Sequence, residues 1–149
     1  MNPILLNFSE IDQMQQLMHD YPPASEAMEL LKKHNGRLDT TFEQLLTEVN
    51  TIEIPNNQKS LAAATLKVLR DELCGDEGFR SVLNEYLKNP GNAALLTSVI
   101  VTLSGMTTLP INPAIATIVV LYILKIGLGI FCEYTEPEEL DLPDIVGVS

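Results

Sequence analysis

The sequence predicts an all-α protein, and three observations carry that prediction. Apolar residues recur at intervals of three and four along most of the chain, the spacing that lines up one face of a helix, while strand-like alternation is nearly absent. Pro-Pro, Asn-Gly and Asn-Pro-Gly-Asn cut this pattern into helix-length pieces. From Asn89 to Leu124 there is no charged residue, enough apolar chain for two helices that must be covered by something.

The first helix is expected from about Ser9 to Asp20. Ser9 would cap it, with Asp12 at the reciprocal position of a capping box, and Ile11, Met14, Leu17 and Met18 mark its apolar face. "YPPAS" ends it, because Pro22 and Pro23 cannot continue a helix interior. Ser25 would cap the second helix, whose apolar side is Ala27, Met28, Leu30 and Leu31. Lys32, Lys33 and His34 crowd its last turn, where the helix dipole favours positive charge. Gly36 supplies a left-handed stop. Asp39, Thr40 or Thr41 starts a third helix with Phe42, Leu45, Leu46 and Val49 facing inward.

"NTIEIPNNQK" interrupts every period and is read as a boundary. A fourth helix follows from about Gln58 to Cys74, with Leu61, Thr65, Leu66, Leu69 and Leu73 on one side. A fifth runs from about Asp76 to Lys88, where Phe79, Val82, Leu83, Tyr86 and Leu87 keep the helical spacing closely. "LPINP" divides the uncharged region into an apolar hairpin of residues 93–108 and 113–132. The expected organisation is therefore a three-helix bundle at 9–49, a second bundle at 58–132 and an acidic tail at 133–149. That tail holds six acidic residues and no basic one, and would dock through Leu140, Leu142, Ile145 and Val146.

Two readings compete for the hairpin. Residues 114–132 as one helix would reach about 28 Å, close to the ~30 Å of a bilayer core. Lys125 opposes that reading at roughly 2.5–3.5 kcal/mol for a central Lys. In the other reading the last helix is the centre of a bundle, covered by the fourth, fifth and sixth helices, with Lys125 reaching solvent or a carboxylate such as one in the tail. The second is favoured, because those amphipathic helices otherwise have nothing to cover. A core left partly open would expose an apolar face suited to a homodimer.

Composition narrows the function classes. A formal net charge of -11 excludes nucleic acid, whose binding rests on clustered Lys and Arg, and a surface drawn to anionic lipid. The start "MNPILLNFSE" lacks the basic region of a signal peptide. Cys74 and Cys132 are far apart and form no CxxC pair, so the expectation is reduced, buried thiols and a cytoplasmic protein. His19 and His34 end helices with no nucleophile in a recognisable arrangement beside them, and no metal-ligand spacing or cofactor motif is present. "GLG" at 127–129 lies inside an apolar run and reads as close helix packing. The expectation is a protein without enzymatic activity, cofactor or metal.

"QMQQLMHDYPPASEAMELLKKHNGRLDTTFEQLL" resembles the ubiquitin-associated (UBA) family and its CUE relatives, compact three-helix bundles. An apolar second helix ending on Asn-Gly and a third ending in Leu-Leu carry the resemblance, which covers a little over a quarter of the chain. In that family the loop after the first helix and the end of the third form an apolar ubiquitin-binding patch. The resemblance places that patch at Tyr21, Pro22, Leu45 and Leu46, with Asp20 standing where an apolar contact is usual and no Met-Gly pair in the loop. It implies a protein partner, with a ubiquitin-like ligand among the candidates. The functional expectation is a helical adaptor that presents an apolar patch to a protein. The alternative is a membrane-anchored or membrane-active protein that inserts residues 93–132.

Overall fold

The computed structural model describes residues 4–49, 58–109 and 111–134. The expected boundary around Pro55, the docking points Leu140, Leu142, Ile145 and Val146, and the side chains of Val49 and Leu61 lie outside the described residues. Eight helices occur among the described residues: α1 (Phe8–Leu17), α2 (Pro22–Lys33), α3 (Leu38–Val49), α4 (Gln58–Leu73), α5 (Glu77–Lys88), α6 (Ala93–Met106), α7 (Pro113–Ile126) and α8 (Leu128–Tyr134). The strand-like pairing seen there is one isolated bridge between Leu5 and Arg37. The fold is all-α, as the periodicity predicts.

Helix ends differ from expectation for identifiable reasons. Asn7, not Ser9, caps α1: its side chain accepts from the Glu10 N–H at 2.8 Å, and Glu10 Oε1 accepts from the Asn7 N–H at 2.9 Å. This is a complete capping box, stronger than the Ser9–Asp12 alternative because Glu reaches back where Asp is too short. Pro22 and Pro23 open α2 instead of delaying it to Ser25, since the first helical positions have no use for the N–H that proline lacks. Its C-terminus closes with the left-handed turn shared between Asn35 (φ 59°) and Gly36 (φ 84°). The Gly36 N–H donates to Leu31 O at 2.9 Å and the Asn35 N–H to Lys32 O at 3.0 Å, a Schellman pattern. Asp76 caps α5 by accepting from the Phe79 N–H at 2.7 Å.

The largest departure is at Gly127. Its φ of 91° stops α7 after fourteen residues, and the chain restarts as α8. A Cβ added at Gly127 or Gly129 would meet nothing within 4 Å. These glycines therefore do not serve close helix packing; Gly127 serves a break. At 1.5 Å per residue α7 is about 21 Å long, and no helix among the described residues is long and apolar enough to cross a membrane.

Ten successive residues of α7, Ala114 to Ile123, are buried. Its neighbours are α2, α3, α6 and α8. Of the expected covering helices α6 packs directly on it, whereas α4 packs on α3 and α5 on α6. The buried side chains, from Leu6 through Leu31, Leu69 and Leu103 to Phe131, form one core cluster. Burying each large aliphatic side chain contributes roughly 1.5–3 kcal/mol, which makes this cluster the main source of stability.

Two cross-connections fasten the periphery. Glu72 of α4 accepts hydrogen bonds from Thr107 Oγ1 at 2.6 Å, Thr108 Oγ1 at 2.7 Å and the Thr108 N–H at 3.1 Å, tying off the chain after α6 two residues earlier than expected. Partial burial works to raise the Glu72 pKa, but these donors outweigh it and hold the carboxyl below its usual range. Cys74 and Cys132 are joined as a disulfide with Cα atoms 6.0 Å apart. That overturns the expectation of reduced thiols. The break at Gly127 turns α8 back so that Phe131, fully buried, meets the Tyr122 ring edge-on at 6.1 Å and its neighbour Cys132 reaches the end of α4.

Candidate functional site

The residues assigned to a binding patch by resemblance differ in burial. Leu45 and Leu46 are 1% and 3% exposed. They lie on α3, which is packed between α7 and α4, so their side chains are core and not surface. Tyr21 is half-buried, and burial pushes its phenol pKa up. Pro22 is exposed at the first position of α2. The four residues do not form one exposed patch, because Leu45 and Leu46 are already buried by their own chain.

A different apolar surface is present at the N-terminal strap. Residues 4–6 run extended beside 36–38, held by Leu6 N–H to Gly36 O and Leu38 N–H to Ile4 O, both 2.9 Å. Side chains of an extended segment alternate, so Leu6 enters the core at 6% exposure while Leu5 turns outward at 44%. The approach is close: a Cβ on Gly36 would overlap the Leu6 carbonyl oxygen. Gly36 is thus required twice, for its left-handed backbone and for contact with the strap.

Phe8 follows directly, at the first position of α1, and is 74% exposed. The capping box of Asn7 and Glu10 brackets it, so Phe8 is presented from a fixed helix end. Glu10 also accepts from Lys125 Nζ at 2.9 and 3.1 Å, linking α1 to the C-terminal end of α7 across 115 positions. Lys125 does reach a carboxylate, and among the described residues that carboxylate is Glu10. The Asn7 N–H first, and then the Lys125 ammonium, hold the Glu10 carboxyl below its usual range. Leu5, Leu6, Phe8, Asn35, Glu10 and Lys125 together line an open groove of about 350 Å³. The groove combines an exposed aromatic, an exposed leucine and one ion pair.

Of these residues Lys125 was expected to reach solvent or a carboxylate, whereas Leu5, Leu6, Phe8 and Glu10 entered no expectation, because the helix start was placed at Ser9. The available signal was Asn7 followed three positions later by Glu10, which moves the helix start forward and places Phe8 on its first turn.

Other candidates fall into structural roles. His34 Nε2 donates to Gln44 Oε1 at 2.6 Å and ties α2 to α3. His19 lies at the surface, 3.1 Å from Asp20 and with Nδ1 2.9 Å from Gln16 O. Among the described residues no group of three or more His, Cys, Asp or Glu side chains is placed to hold a metal. Arg80 donates to the carbonyl of Cys74, closing the end of α4 beside the disulfide. Comparison with protein-family models, with curated proteins and with solved structures finds no match.

Proposed function

We propose that the chain is a helical interaction protein that works by binding a protein partner through the apolar surface around Leu5 and Phe8. The observation that carries this reading is the 74% exposure of Phe8 on a helix start that a capping box and a salt bridge hold in place. An exposed phenylalanine forgoes roughly 1.5–3 kcal/mol of burial, and a chain able to bury ten successive residues of α7 has no general difficulty in covering its apolar groups. Aromatic residues on rigid elements are favoured anchors at interfaces because little conformational freedom is lost when they are covered. The three N-terminal helices keep their UBA-like reading on sequence pattern. Their proposed contact surface is the strap and α1 start, in place of Tyr21, Pro22, Leu45 and Leu46.

The test is photocrosslinking in the cells that make the protein, with benzoylphenylalanine in place of Phe8 or, as a control, Val101. Val101 is also exposed, at 52%, but lies on α6. A discrete adduct from position 8 that is absent from position 101 is the expected result. Identical adduct patterns from both positions, or none from position 8, would overturn the reading.

A further inference from the structure

Beyond the described residues the chain carries a segment whose chemistry matches the groove beside Phe8. Residues 135–149 hold five carboxylates, no basic residue, and the apolar side chains Leu140, Leu142, Ile145 and Val146. They follow α8, whose seven residues advance about 10 Å. That helix begins three residues after Lys125, so the segment starts within a short distance of a groove residue. Fifteen extended residues span up to about 50 Å, several times what is needed to return to the strap.

Charge favours the same meeting. Outside this segment acidic residues still outnumber basic ones, by fifteen to nine, so the rest of the surface on balance repels an acidic segment. At the groove, the exposed Lys125 lines the same surface as Leu5 and Phe8, and the exposed Arg37 stands directly across the bridge from Leu5. Glu10 takes two contacts from Lys125, whose ammonium has a third N–H to offer. An apolar patch with Lys125 and Arg37 at its edge fits a segment that alternates leucines and carboxylates, as "EELDLPDI" does.

We propose that residues 135–149 dock in this groove within the same chain, covering Leu5 and Phe8, and that a partner must displace them. The regulatory consequence rests on the binding surface proposed above, whereas the docking itself needs no partner.

Amide hydrogen exchange on the full chain tests it at two protein concentrations, for the native sequence, Phe8→Asp, Leu142→Asp/Ile145→Asp and the control Val101→Asp. The expected result is exchange about tenfold slower than an unstructured peptide across residues 138–147 of the native chain. That protection should be lost in Phe8→Asp, retained in Val101→Asp and unchanged on dilution. Leu142→Asp/Ile145→Asp should speed exchange at residues 4–8 without altering α7. Unstructured exchange across 138–147 in the native chain, or protection indifferent to Phe8→Asp, would overturn the proposal. So would protection that falls on dilution, which assigns the groove to a second copy. None of these outcomes depends on the crosslinked partner, so the two proposals fail separately.

Discussion

Ten successive residues of α7, Ala114 to Ile123, are buried, whereas α1 buries Ile11 alone among its ten residues. The two helices show the two ways in which this chain fixes an element. α7 is held by apolar contact on every side, and its neighbours α2, α3, α6 and α8 take their positions from it. α1 buries Ile11, rests the partly buried Met14 and Leu17 on the core, and is otherwise fixed by directional contacts: a capping box and the Glu10–Lys125 pair. A helix fixed in the first way has no side chains to spare. One fixed in the second way can leave an aromatic group exposed, because its position does not depend on burying it.

The contrast can be broken most forcefully in α7. Ile118→Ala removes a fully buried side chain and is expected to cost about 2–5 kcal/mol, read as a lower denaturant midpoint with an unchanged slope. A cost under about 1 kcal/mol would mean that α7 is less tightly surrounded than its burial indicates. Next is Gly36→Ala, where the strap and α2 compete for one position. The left-handed backbone alone predicts about 1–3 kcal/mol, and the overlap with Leu6 O adds to it. Accelerated amide exchange at Leu6 and Leu38 should accompany the loss.

The Glu10–Lys125 pair is a smaller effect. Both side chains are about one-third exposed, so a double-mutant cycle should return at most about 0.5 kcal/mol, falling with added salt. Its pH dependence has a definite sign. The folded pKa of Glu10 lies below its unfolded value, so its contribution is complete above about pH 4.3 and is lost as the pH falls below that. Glu10→Gln should flatten that acid limb, whereas Lys125→Met should leave the share that comes from the Asn7 N–H. Smallest of all is Phe8→Asp, expected to change stability by no more than about 0.5 kcal/mol in either direction. A large loss there would show that Phe8 belongs to the folding unit after all and not to a surface.

What could be read from the sequence was local or periodic. The extent of α5, its inward Phe79, Leu83 and Tyr86, and the burial of the last long apolar helix follow from spacing alone. Val82 and Leu87 kept the same spacing but end half-buried and exposed, because among the described residues the close packing on α5 comes from α6, which covers one side of it. What escaped was relational. Nothing in the order of residues announces that Glu10 meets Lys125, that Cys74 meets Cys132, or that α3 packs between α7 and α4 with Leu45 and Leu46 buried. Gly127 was visible, yet a glycine inside an apolar run is compatible both with a continuous helix and with a break. The choice is made by Phe131, which reaches Tyr122 only if the chain turns back.

That turn leaves the molecule with a covalent ring. The bond between Cys74 and Cys132 closes a circuit through α5, α6 and α7, and the exposed turn at Asn89, Pro90, Gly91 and Asn92 lies on its circumference. A protease that cuts this turn opens the ring without releasing either half, so the nicked chain keeps its full mass until a reductant is added. Two bands on a reducing gel and one on a non-reducing gel would be its signature. The same site would accept an inserted tag, since its ends stay tethered on both sides by the bond that joins α4 to α8.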